Sequence, residues 1–168
     1  MLTDFVVAAA AAFCAMHGEH PACAPKRAAP VAISADDVAA LRGYVATMAR
    51  APYVDDPAFA WRDIGADEPG DCDDRMLWLA ETLARARPHI WAAARPVLWF
   101  QRDDEGQPMR VAHVALFVWT QTQVLRLDAA EGELRAFTLD NFAEIAPQLY
   151  VAPDGVGGRW MRLIDEHG

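Results

Sequence analysis

The chain predicts an α+β domain, and two observations carry that expectation. The first half places apolar residues at helical spacing, while the second half is a series of short apolar stretches bounded by Gly, Asp and Pro, which reads as an antiparallel meander. With 168 residues, 54% of them hydrophobic and 23% charged, the chain is long enough to enclose one core.

Residues 1–33 are expected as a leader and linker, and 34–168 as the folded domain. "FVVAAAAAFCAM" has the length of a signal-peptide core and "ACA" at 22–24 the form of a cleavage site. Asp4 stands where a basic flank belongs, so the segment reads as an alanine-rich helix or leader, and a cytoplasmic location is favoured over export. Three prolines in 18–33 and little periodicity mark the linker. Ser34 with Asp37 has the form of a capping box, and Val38, Leu41, Val45 and Met48 follow at helical spacing, giving a first domain helix near 34–50. The stretch "APYVDDPAFAWRDIGADEPG" reads as a long packed loop.

In 72–87, Met76, Leu79, Ala80 and Leu83 form an amphipathic stripe, with Pro69 and Gly70 before it and Pro88 after it. Extended back one turn, the stripe reaches Cys72, which turns inward while Asp73 and Asp74 rotate away. Strands are expected at 95–101, 110–119, 123–128, 133–139 and 159–165, the first two joined by the charged turn "RDDEGQP". Phe117 and Trp119 are expected as core against the cysteine helix, Trp78 and Trp91 as packing residues, and Trp61 as either a hydrophobic anchor of its loop or a hydrogen-bond donor to a bound substrate's oxygen.

Fifteen Lys and Arg against 24 Asp and Glu leave a net charge of −9, which works against binding to phosphate backbones and excludes nucleic acid as the expected partner. The body of the chain lacks an apolar run long enough to span a membrane. The three cysteines, Cys14, Cys23 and Cys72, are too few for a disulfide framework or a structural zinc site. If the chain is exported uncleaved, Cys14 and Cys23 can pair, and Cys72 is then the odd thiol.

A nucleophilic cysteine needs a stabilised thiolate, a base, and a group that orients the base. The first turn of a helix offers Cys72 unpaired N–H groups and the positive end of the macrodipole. His17 and His20 lie in the leader, His167 is penultimate and His89 follows a helix-ending proline, so His113, inside the apolar strand "VAHVALFVW", is the candidate base. A hairpin closed symmetrically about Thr120 and Gln121 sets Asp128 opposite His113 on the same sheet face.

"GDCDD" at 70–74 opening a helix, "HVALFV" at 113–118 and an aspartate at 128 resemble the bacterial transglutaminase-like cysteine peptidases, whose members include periplasmic adhesin proteases. The likeness runs over about 36–140 and includes "APYVDDPAFAW" upstream of the cysteine. It implies a papain-like core in which the cysteine helix packs on an antiparallel sheet. It further implies Cys72 as nucleophile, His113 as general base and acid, and Asp128 as the orienting carboxylate. Arg75-Met76 departs from the family's pattern, Ala129 follows Asp128 where the family has Asn, and "LDN" occurs instead at 139–141, which makes Asp140 the alternative third member. The resemblance also makes Asp71, Asp73 and Asp74 candidate calcium ligands, although three carboxylates fall short of the six to eight oxygens calcium takes.

The expected function is hydrolysis of amide bonds in a protein or peptide substrate through a thioester, with no required cofactor. The alternatives are acyl transfer to an amine on the same three residues, and a non-catalytic binding or assembly module of a bacterial or phage structure.

Overall fold

The computed structural model describes residues 2–27, 29–56, 60–102 and 108–167. It is an α+β fold built on a six-stranded antiparallel sheet. Helices α1 (Leu2–Met16), α2 (Ala35–Met48), α3 (Cys72–Ala86) and α4 (Pro88–Ala92) come first. The strands β1 (Ala94–Arg102), β2 (Pro108–Trp119), β3 (Gln123–Asp128) and β4 (Glu133–Thr138) then form the expected meander. Helix α5 (Leu139–Ile145) leads to the short strands β5 (Tyr150–Val151) and β6 (Met161–Arg162), which return to the free edge of β1, giving the order β4-β3-β2-β1-β5-β6. Of the strand expected at 159–165, only Met161–Arg162 is extended, and a 3-10 helix takes over at Leu163. Most of the charged turn expected at 102–108 lies outside the described residues.

Local chemistry explains the helix starts. The Ser34 hydroxyl accepts the Asp37 N–H while the Asp37 carboxylate accepts the Ser34 N–H, closing the capping box that opens α2. Proline at the first position of α4 meets a site whose N–H has no helical partner. His89 sits on this helix rather than in a loop, 3.2 Å from Asp37.

Alternate strand residues point to opposite faces, so the sheet buries two cores. Val114, Leu116 and Val118 of β2 join Leu79, Leu83 and Met76 of α3 on one side. Ala115 and Phe117 join Val97, Val124, Phe142 and Leu149 on the other, with Trp119 packed against them. Phe117 and Trp119 therefore pack on the face away from the cysteine helix, under α5, and not against α3. Sequence periodicity fixes which strand residues share a face, but not which face the helix covers.

Of the segment expected as leader and linker, α1 lays Val6, Ala10 and Phe13 into the core that α3 shares. A disulfide joins Cys14 to Cys23, leaving Cys72 as the free thiol. No helix among the described residues is long and apolar enough to cross a membrane.

Candidate functional site

Strand β3 pairs with β2 from Leu116↔Leu127 to Trp119↔Val124 and ends at Asp128. Helix α3 packs against β2, with Cys72 partly buried beside the core that holds Val114, whose backbone N–H favours the thiolate. His113 is the preceding residue. Its Nε2 lies 2.7 Å from Asp128 Oδ2, with the histidine side chain 10% exposed and the aspartate fully buried.

The hairpin closes one residue later than expected, around Gln121 and Thr122, where the Thr120 hydroxyl ties the turn by accepting the Gln123 N–H and donating to the Gln123 carbonyl. Each β3 residue thus pairs two places further along β2. Asp128 is consequently diagonal to His113 rather than opposite it. The displacement is even, so both side chains stay on one face, and a diagonal neighbour remains within reach of an imidazole.

Asp128 is held from both sides. Its Oδ1 accepts the backbone N–H groups of Ala130 and Glu131 at 3.2 and 3.1 Å. Burial alone would raise its pKa, but the His113 hydrogen bond and charge, with the Glu131 N–H, override burial and hold the carboxyl below its ordinary value. Because Asp128 takes the proton on Nε2, Nδ1 is the nitrogen left with a lone pair. The Trp99 ring packs edge-on to the imidazole at 4.8 Å between centroids, fixing its plane. Asp140 stands exposed in the first turn of α5, and among the described residues the carboxylate bonded to His113 is that of Asp128.

The acids around Cys72 do not rotate away as expected. Around the partly exposed Cys72, the first turn of α3 buries Asp71, Asp73, Asp74 and Arg75. Asp73 Oδ1 lies 4.0 Å from the Cys72 sulfur. Burial, then the charges of Asp73 and Asp71, push the thiol up to about 12, against the Val114 N–H, which favours the thiolate. Asp73 is itself pushed up to about 9 by burial, by the charge of Asp71 and by a hydrogen bond shared with it. Asp74 is anchored differently, accepting the Arg62 backbone N–H at 2.7 Å and the guanidinium at 3.1 and 2.5 Å.

Oxygens of Asp71, Asp73 and Asp74 lie within 4.8 Å of one another. Asp71 Oδ1 and Asp73 Oδ2 are buried with no hydrogen-bond partner. Buried carboxylate oxygens without donors are costly, and a hard cation with oxygen preference would satisfy them. The donor set therefore fits calcium, with the remaining ligands to come from elsewhere.

Two residues that hydropathy marks as surface or spacer hold the site together. Arg75 is 1% exposed, and its guanidinium donates to the carbonyls of Gly70, Met48, Ala129 and Ala51 at 3.0, 3.2, 3.3 and 2.7 Å. It thereby ties the residues flanking both Cys72 and Asp128 to the end of α2. Its position off the apolar stripe gave no sign of this role. At Gly70 a Cβ would stand 2.7 Å from the Ile64 side chain and 2.9 Å from Asp74 Cβ, so the turn into α3 admits only glycine without displacement. Trp61, 5% exposed, meets Trp160 edge-on at 6.4 Å and is a packing residue, while Trp78 and Trp91 pack partly buried against the main core.

No protein-family model matches the chain, and no curated protein does. Among solved structures, the fold is similar to Legionella pneumophila LapG, with 21% identity over 66% of this chain and 62% of that one, at a TM-score of 0.43. A calcium-bound form of that protein matches with the same figures, and an EGTA-treated form with 19% identity over 67% and 59% at a TM-score of 0.42. The chain thus spans about three-fifths of the length of LapG.

Proposed function

We propose that the protein is a cysteine-dependent hydrolase of amide bonds in proteins or peptides, with Cys72 as nucleophile, His113 as base and acid, and Asp128 as the orienting carboxylate. The observation that carries the reading is the 2.7 Å bond between His113 Nε2 and Asp128, in which His113 adjoins Val114, the residue whose N–H favours the Cys72 thiolate. In this reading His113 Nδ1 takes the thiol proton as the sulfur attacks the substrate carbonyl. A thiol held high by burial and by Asp73 favours transfer during attack over a resting thiolate. The open N–H groups at the start of α3 stabilise the charge that develops on the carbonyl oxygen. His113 then gives its proton to the leaving amine, and as a base it activates the water that resolves the thioester. Asp71, Asp73 and Asp74 would hold calcium, whose positive charge offsets the acids beside the thiol.

Incubation with a peptide library, read by mass spectrometry, tests the reading. Cleavage that disappears in Cys72→Ala and in His113→Ala supports it, and an added labelled amine separates hydrolysis from acyl transfer. No cleavage, no amine incorporation and no hydroxylamine-trapped acyl group would count against both activities. The raised thiol favours the non-catalytic module as second reading; its mark is a Cys72 inert to iodoacetamide at neutral pH with and without calcium. The Cys14–Cys23 disulfide supports an oxidising compartment, where such bonds persist, in place of the cytoplasmic location favoured by the N-terminal flank.

A further inference from the structure

We infer that the sheet face beyond His113 carries a subsite for a carboxylate-bearing side chain, a glutamate or aspartate of the peptide substrate, held between Arg126 and Arg135. The ligand's identity as substrate rests on the hydrolase reading; the subsite itself rests on four features of the fold. Arg126 and Arg135 are direct partners in the β3–β4 ladder. Like charges set opposite one another destabilise a sheet, and within this pair only Arg126 has carboxylate partners among the described residues, Glu131 and Glu133. In a chain of net charge −9, the two arginines line a cavity of about 230 Å³ with Trp99, Phe117, Phe137 and Leu149, and no acid lines it.

The guanidiniums are also incompletely used. Glu131 and Glu133 both engage Arg126 through Nη2, leaving Arg126 Nε buried without a partner. Arg135 lies over the Phe137 ring at 5.0 Å, and among the described residues it has no carboxylate partner. An orphaned buried N–H beside a second guanidinium calls for an anionic acceptor, since charge-assisted bonds of this type are the strong ones.

The cavity's position selects the source of that anion. The Trp99 ring lines it and also touches His113, at 4.8 Å between centroids, and Phe117 at 6.0 Å. A single ring thus separates the cavity from the imidazole. A peptide lying along His113 on this face of the sheet would bring a side chain here, with methylenes against the aromatic rings and the carboxylate accepting from Arg126 Nε–H and Arg135.

The test is fluorescence polarisation with the Cys72→Ser protein and labelled hexapeptides that differ only in a central Glu, Gln or Ala. The Glu peptide is expected to bind about tenfold tighter than the Gln peptide, and Arg135→Gln to erase the preference. Equal binding of Glu and Gln overturns the subsite, as does a preference that survives both Arg135→Gln and Arg126→Gln, or no saturable binding at millimolar peptide. Cleavage by the wild-type protein is measured separately. A Glu preference without cleavage leaves the subsite and removes the hydrolase reading, whereas cleavage without the preference does the reverse.

Discussion

Asp128 bonds His113 from a diagonal position on the β2–β3 ladder, and the bond closes to 2.7 Å because two backbone N–H groups of the following turn hold the carboxylate's other oxygen. Asp128→Asn keeps the shape but offers an amide that can present its N–H to Nε2, favouring the wrong tautomer. Turnover should fall about 10²–10⁴-fold, measured as kcat/KM on whichever peptide the library yields. Asp140→Ala, at an exposed helix start, should leave turnover unchanged. Loss at Asp140 with retention at Asp128 would reverse the assignment.

Arg75 supplies a stability prediction that does not depend on chemistry. Replacing it with methionine removes a donor from four carbonyls; those of Met48 and Gly70 keep the N–H groups of Ala51 and Val54, whereas those of Ala51 and Ala129 lose the donor that Arg75 supplies. A buried carbonyl left without its donor costs about 1–3 kcal/mol, so two of them cost about 2–6 kcal/mol, which for a chain of this size corresponds to a fall in Tm of about 10 °C. Calorimetry of Arg75→Met against Arg85→Met, an exposed control on the same helix, checks it. Equal midpoints would sink the claim that Arg75 organises the site.

Cys72 reactivity should be limited by its acidic neighbour. In EGTA, iodoacetamide alkylation should be slow at neutral pH and rise only in the alkaline range, because burial and then Asp73 raise the thiol to about 12. Asp73→Asn removes the nearest charge and should accelerate alkylation at a fixed alkaline pH. A thiol as reactive in the wild type as in Asp73→Asn would show that the carboxylate does not control it.

Residue alternation made the meander legible, including the bounds of β3 at 123–128 and the shared face of His113 and Asp128. It left the exact register open, since a two-residue slip preserves every face. The capping box of α2 was legible because its two bonds are local. The convergence of Asp71, Asp73 and Asp74 was not. Helical phase separates adjacent side chains only where the helix has an outside, and at the start of α3 the surroundings enclose Asp71, Asp73, Asp74 and Arg75 while Cys72 alone stays partly exposed. The same enclosure hides Arg75, whose four acceptors come from segments distant in sequence. The pairing of Arg126 with Arg135 depends on the β3–β4 register and emerges only with the ladder.

The buried acids make stability depend on pH in a direction opposite to that of an ordinary paired carboxylate. Asp73 has an ordinary value of 3.8 and is raised to about 9 in the fold. Between these values the unfolded chain has released the proton that the folded chain still holds, so Asp73 makes stability fall as pH rises through this window and level off above about 9. Lys26, lowered to about 7 by burial and by Arg95, and His20, lowered by burial, carry slopes of the opposite sign. The contribution of Asp73 is therefore the difference between wild type and Asp73→Asn, measured as Tm across this range in EGTA. The wild type should lose ground to the variant as pH rises. Calcium bound at the three acids displaces the retained proton, so excess calcium should flatten that difference and raise the wild-type Tm most at the alkaline end. A Tm unmoved by calcium at every pH would rule out the cation, and a wild type that gains on Asp73→Asn with pH would overturn the raised carboxyl.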